Sequence, residues 1–595
     1  MSHLADDSLL SSAERLVLDE RYSEALHEID RLRRNKIERG TQLRCGILES
    51  RCFSGLGDFG KAIKAAQDVV DMGSKFQEHK MDVIDGLLEM ADASWGLGLP
   101  DMILETCSKA EKLRTELSTE DESLLDSIKA NILFHESLGW YMKDDVHRAI
   151  ECACQSLSIR EGLEDVQGIV SSLLRVGYLH IEVDLDQALE YVERGLMLNK
   201  QLRCNGHVIF GYSCKACIEL MRCNWDECEQ LASQALTLVK KHNHRRWMLW
   251  PLFLFSNMSL VKGDFRRSLE YSQEYLAKSE KANAQLHIGI ASVYMGEIFR
   301  ARGDFENALK AYERSMEINR KMGRSKGYIV SMANCGMVEI AMGHPDEALM
   351  LLEESLMLAE KQEQAGLLGG FIRPYNILNI VSILVDKGLV NEAQQRVERA
   401  RLISEETNAL YDTQAYRIAA ALVLKSSMLP RSRKIAKEYL IDVIDGSFID
   451  YELTAMALLN LAEILVNELQ MTGNQDILDA LETRLDALST LANRQDSGLL
   501  LIETLLLQSK VALLQLDAAR VNRLLDQAKI FAQEKGIDRI LERIANEHSI
   551  LLNELGVWEN LGENSPPMAK RAEKARIQEQ IYDMIRQGTW RKMLF

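Results

Sequence analysis

Ala291-Ser-Val-Tyr-Met-Gly-Glu-Ile-Phe-Arg-Ala-Arg-Gly-Asp-Phe-Glu-Asn-Ala-Leu-Lys-Ala-Tyr-Glu-Arg-Ser-Met-Glu-Ile318 decides the fold. Apolar residues recur at intervals of three and four on both sides of Gly303-Asp304, so each half reads as an amphipathic helix and the Gly-Asp pair breaks them apart. Gly296 and Ala308 fall where the two helices cross. Only small side chains let the axes approach there, and Phe299 and Tyr312 fill the space beside that contact. Ala308 also belongs to a longer rhythm. Ala188, Cys228, Ser268, Ala308 and Ala348 stand at 40-residue intervals, each about three residues past a turn. A fixed period in this range marks a repeat array.

The small and aromatic positions Gly296, Phe299, Ala308, Tyr312 and Ser315 resemble those of the tetratricopeptide repeat. The period of 40 exceeds that family's usual length of about 34, so each helix is expected to be about a turn longer. This long variant resembles the repeats of kinesin light chains, of Gα-binding scaffold proteins and of the sensor arms of some large prokaryotic transcription activators. The resemblance implies fold more than function, because such relatives do different things on one architecture.

The pattern decays outward. Upstream turns are read before Ala25, Ala62, Ile103 and Ala149, and a downstream one before Ala393, a step of 45 that implies a longer linker around Gln364 to Gly370. Weaker turns precede Ala436 and Val521. The expectation is an all-α solenoid of about thirteen helix hairpins coiled into a right-handed superhelix with a concave face. It divides into N-terminal repeats over 1–165, a regular core over 166–410, degenerate repeats over 411–560 and a linker with a basic amphipathic helix over 561–595. That last helix carries seven basic and three acidic residues and an apolar stripe of Ile577, Ile581, Met584, Ile585, Trp590, Met593, Leu594 and Phe595. It can cap the last repeat, dock in the chain's own groove, or capture a partner or a membrane surface.

Composition narrows the function classes. With 595 residues the chain exceeds one ordinary core. A net charge of −18 argues against a nucleic-acid partner, which demands a basic face, and permits basic protein segments. No stretch approaches the ~20 apolar residues of a membrane span, and the start from Met1 to Asp7 lacks a signal-peptide pattern. Eleven irregularly spaced cysteines read as reduced core residues, which points to the cytoplasm.

The register set by Gly296 assigns residues to the concave side, carried over from the resembling family's geometry. It gives Phe210, Cys214 and Cys217; Trp250, Phe253 and Asn257; Ile290, Val293, Tyr294, Glu297 and Arg300; Val330, Asn334 and Met337; and Tyr375, Asn379 and Ser382. Of these, Trp250, Phe253, Asn257, Tyr294, Glu297, Arg300, Asn334, Tyr375 and Asn379 form the candidate peptide-binding set. Asn334 and Asn379 share one repeat position. A carboxamide donates and accepts together, so spaced asparagines suit the backbone of an extended peptide; the plainer alternative is that each satisfies a neighbouring carbonyl. The aromatic run Trp247, Trp250, Phe253 and Phe255 offers interface anchors or core packing.

Other constellations carry less. Cys214 and Cys217 lie on one helix face, but the second hook, Cys223 and Cys228, has the wrong spacing for a structural zinc site, and Cys228 fills a small-residue slot. His242 and His244 read as a solvated inter-repeat loop, and Arg373 as a loop charge or a contact for an acidic group. No phosphate loop, nucleophile elbow or His-Glu-x-x-His pair is present. The expectation is a non-enzymatic chain with no cofactor or metal that binds protein or peptide segments in its groove. The alternative is a sensor arm of a signalling or transcription-control system that responds to a peptide or small molecule.

Overall fold

Gly303 and Asp304 show how one repeat is built. The helix Gln285–Arg302 ends at Gly303, whose φ of 78° lies in the left-handed region that a side chain resists. Asp304 then starts the helix Phe305–Met322 by accepting the N–H of Asn307. The same aspartate cap opens helices at Asp145, Asp264 and Asp517. The helices of this region are 18 residues long.

The computed structural model describes all residues except 1, 36, 118, 120, 203, 223, 262–263, 365–371, 408–409, 428, 447–450, 495–496, 536–537, 562–565 and 588–595. Among the described residues there are twenty-nine α-helices and no strand. They form thirteen consecutive hairpins, from Ser2–Leu18 with Tyr22–Arg33 to Gly498–Leu514 with Ala518–Lys535. A single long helix, Asp538–Leu561, follows, and then two short ones, Met568–Lys574 and Ile577–Gln587. The sequence suggests one continuous tail helix. Instead Arg576, with φ of 50°, divides it, and the turn brings Ala572, Ala575, Ile577, Ile581, Met584 and Ile585 together into one core. Trp590, Met593, Leu594 and Phe595 lie outside the described residues, as do Cys223 and most of the linker at 364–370.

The 40-residue rhythm marks the packing seam. Ala188, Cys228, Ser268, Ala308 and Ala348 are all fully buried, and so are Ala25, Ala62, Ala149, Ala393 and Ala436. At the crossing partner Gly296, an added Cβ would stand 2.6 Å from the Tyr312 ring. The buried apolar side chains gather into two large clusters, one between Val83 and Met322 and one between Ala333 and Ile585.

The first coil closes on itself. The turn at Glu20 meets the start of helix Asn205–Met221, where the Glu20 carboxylate accepts the N–H groups of Asn205 and Gly206 at 2.9 and 2.8 Å. Gly57 lies against Arg245, and Gly98 lies so close to Leu286 that a Cβ would come within 3.0 Å of its backbone N. Asp144 accepts the N–H of Lys326 at 2.8 Å and faces Arg324. These four turns belong to hairpins one to four and meet hairpins six to nine. The coil therefore returns upon itself every five hairpins. Two of the four contacts place a carboxylate at a helix N-terminus, where free N–H groups and the helix dipole both favour it.

Candidate functional site

The inward residues sit on the first helices of successive hairpins. Trp250, Phe253 and Asn257 come from Leu249–Val261, and Tyr294, Glu297 and Arg300 from Gln285–Arg302. Asn334 comes from Ser325–Met342, and Tyr375 and Asn379 from Ile372–Asp386. All are buried except Phe253, which is half-buried. Phe253 and Tyr294 meet across two of these helices, with ring centroids 5.9 Å apart.

Other rings meet in the same way. Trp247 stacks on Phe210 with centroids 4.9 Å apart, and Trp250 meets Tyr178 edge-on at 5.3 Å. Edge-on and offset contacts of this kind suit the ring quadrupole. Trp247 lies in a separate short turn, Arg245–Trp247, ahead of the helix that holds Trp250 and Phe253.

Polar groups lie among these residues. The Arg300 guanidinium donates to Glu297 from Nη2 at 2.6 Å, and the Tyr312 hydroxyl donates to the other Glu297 oxygen at 2.6 Å. Burial, with the Glu297 charge beside it, pushes the Tyr312 hydroxyl well above its usual range. The two equivalent asparagines behave differently. Asn379 donates to the carbonyl of Tyr375 one turn earlier in its own helix, at 3.0 Å. Asn334 is 4% exposed, and its Nδ2 meets no acceptor among the described residues. A buried donor in that state is costly.

Two sequence readings change, and the reading of the cysteines as core residues holds for Cys214 and Cys217. His244 is not a solvated loop residue: it is buried and faces the Glu20 carboxylate at 3.2 Å. Arg373 is buried as well. Cys214 and Cys217 are buried, and burial pushes both thiols up from their ordinary value. Among the described residues, no group of three or more His, Cys, Asp or Glu side chains is placed to hold a metal ion, and no helix is long and apolar enough to cross a membrane.

Arg175 and Tyr178 were missed. The register applied from Phe210 onward extends one hairpin further back, to Gly177, where an added Cβ would stand 2.6 Å from Val192. Counted from that glycine, Arg175 and Tyr178 take the positions of Tyr294 and Glu297. The shorter 39-residue step from Gly177 to Ala216 hides the equivalence.

The last helix packs on first helices of the C-terminal hairpins. Helix Ile577–Gln587 packs against the first helices Ser325–Met342, Tyr451–Thr472 and Gly498–Leu514. Its apolar side is buried there, and Gln580 Nε2 donates to the carbonyl of Glu503 at 3.1 Å. The Tyr582 hydroxyl donates to Asp386 at 2.9 Å. Beside Tyr582 and Ile585 a cavity of about 150 Å³ remains, lined also by Asp386, Lys425, Arg433 and Glu463.

The tetratricopeptide repeat model matches residues 288–361. No curated protein matches the chain. Among solved structures it is similar to a Rap protein complexed with Competence and Sporulation Factor, at 11% identity and TM-score 0.46, over 60% of this chain and 99% of that one. It is similar to yeast Tom70 at 13% identity and TM-score 0.34, over 74% and 99% of the two chains. It is also similar to NprR in complex with its cognate peptide NprX, at 15% identity and TM-score 0.35, over 56% and 98%. Residues 288–361 are tetratricopeptide repeats, set within an all-α helical repeat fold.

Proposed function

We propose that the chain is a non-catalytic scaffold whose concave face holds protein or peptide segments, and that its own C-terminal helix occupies part of that face until a partner enters. The supporting observation is the seat of Ile577–Gln587 on the first helices of three separate hairpins. An amphipathic helix laid across such a face is a segment of the kind the surface would capture. Capture would add many shallow contacts along a preformed surface, with Asn334 supplying a donor for a peptide carbonyl. The net charge of −18 favours segments with basic residues.

Panning a displayed library of extended peptides against the whole chain tests this reading. It expects a shared motif whose affinity falls about fivefold in Asn334→Ala, which corresponds to about 1 kcal/mol for one hydrogen bond. The absence of any enriched motif from both the whole chain and a chain ending at Leu561 would contradict it.

A further inference from the structure

Three consecutive hairpins end their first helices in exposed apolar side chains. Gly388-Leu389 joins helix Ile372–Asp386 to Val390–Thr407, Leu429 precedes Pro430–Asp445, and Met471 stands at the end of Tyr451–Thr472. Leu389 and Val390 are exposed, Leu429 is 64% exposed and Met471 is 73% exposed. Leu389 stands four residues before Ala393, the place that the capping Asp304 holds before Ala308. Leu429 opens its helix without a side-chain cap, and leucine is a poor residue there. The tips lie along one edge. Val385, Asp386, Ser426 and Arg433 line one cavity, so the ends of helices Ile372–Asp386 and Leu410–Lys425 are side by side. Arg433 Nη1 reaches Met471 Sδ at 3.8 Å, which joins the second tip to the third.

Cations surround these tips. Arg431 and Arg433 follow Leu429 in the first turn of its helix. Past Met471, the short helix Met568–Lys574 packs on the same edge: a Cβ on Gly473 would stand 3.4 Å from the Ala569 N, and Gln470 Nε2 donates to the Ala572 carbonyl at 3.4 Å. That helix brings Lys570, Arg571 and Lys574. Lys434 and Lys437 are matched by Glu438 and Glu468. Arg431, Arg433, Lys570, Arg571 and Lys574 form no ion pair among the described residues. Even with Glu573 and Asp476 beside them the edge is positive, inside a chain whose net charge is −18. Salt confines electrostatic reach to about 10 Å at 0.1 M, so a surface that touches this edge feels its cations more than the distant acidic bulk. A row of turn tips offers no groove to a peptide; it suits a plane. Apolar side chains that enter the acyl boundary, together with cations at the headgroups, are the two signals of a reversible membrane contact.

We propose that this edge docks on an anionic lipid surface, with the four apolar tips entering the headgroup region and the five unpaired cations meeting lipid phosphates and carboxylates. The contact is peripheral, since no helix among the described residues is long and apolar enough to cross a membrane. It uses the turns rather than the inner face, so it stands or falls separately from the scaffold reading.

The test is cosedimentation of the full chain with vesicles of phosphatidylcholine alone and of phosphatidylcholine with about 30% phosphatidylserine. The expected result is binding to the anionic vesicles, at least tenfold stronger than to the neutral ones and weakened by salt. Leu429→Ser with Met471→Ser, and separately Lys570→Gln with Lys574→Gln, should each lower that binding at least fivefold. Their melting temperatures should match the wild type, because all four side chains are exposed. No sedimentation, equal sedimentation with both vesicles, or full binding by either double variant would overturn the proposal. Saturable capture of polyglutamate by a chain that leaves the vesicles unbound would also overturn it, and would give the edge to an acidic protein segment instead.

Discussion

Glu20 accepts the backbone N–H of Gly206 at 2.8 Å, although 186 residues separate them. The same carboxylate faces His244, and Asp144 repeats the arrangement on Lys326 three hairpins further along. The seam of the coil is thus marked at both ends by a carboxylate seated on a helix N-terminus.

Acid should loosen that seam. Burial pushes the Glu20 carboxyl up, but hydrogen bonds from His244, Cys204 and Gly206 together with the His244 charge prevail and hold it at about 2, against an ordinary 4.5. A depressed folded value stabilises above 4.5, and the benefit disappears as the pH falls towards 2. Glu20→Gln should cost about 1 kcal/mol at pH 7, on the scale of a lost cap. The gap between wild type and variant in urea unfolding should shrink by about pH 3. A gap that does not change with pH would contradict the assignment.

The helix crossing should resist a single methyl group. Gly296→Ala puts a Cβ 2.6 Å from the Tyr312 ring and should destabilise by about 1–3 kcal/mol through overpacking. Gly556, inside helix Asp538–Leu561, has open space where a Cβ would stand, so Gly556→Ala should stabilise by about 0.5–1 kcal/mol. Chemical unfolding of both variants reads the contrast.

The Glu297–Arg300 pair should be worth little as a pair and a great deal when broken. Glu297→Ala takes the carboxylate away from the buried Arg300 guanidinium and from the Tyr312 hydroxyl and should cost about 3–5 kcal/mol, whereas Glu297→Leu combined with Arg300→Met should come within about 1 kcal/mol of wild type. Equal losses in the single and double variants would show that the pair itself holds the inner face.

Much of the fold is legible in the sequence because a hairpin is a local object. The spacing from Ala188 to Ala348, the Gly303-Asp304 turn and the crossing at Gly296 lie within one repeat length of their neighbours, and the structure places all five beat residues in the core. The seam is a different matter. The contact between Glu20 and Gly206 depends on the small rotation added at each hairpin, summed over five of them, and no local pattern encodes that sum. His244 shows the consequence: beside Asn243 and Arg245 it reads as a loop residue, yet the returning coil buries it. Arg175 escaped for a simpler reason, a one-residue shortening of the period ahead of Ala216.

Disrupting the tail contact should free it. Ile581 is fully buried, so Ile581→Asp should expel helix Ile577–Gln587, and limited proteolysis should then cut between Leu561 and Pro567 much faster than in wild type. Unchanged cleavage would mean that the linker is equally accessible in both states.

If the concave face holds a segment, the tail competes for it. The most direct measurement is fluorescence anisotropy of a labelled peptide spanning residues 566–587, added to the full chain and to a chain ending at Leu561. Saturable binding to the shortened chain, at least tenfold weaker to the full chain and lost when the peptide carries Ile581→Asp, is the predicted result. Equal binding to both chains, or no binding to the shortened one while it remains folded, would contradict it.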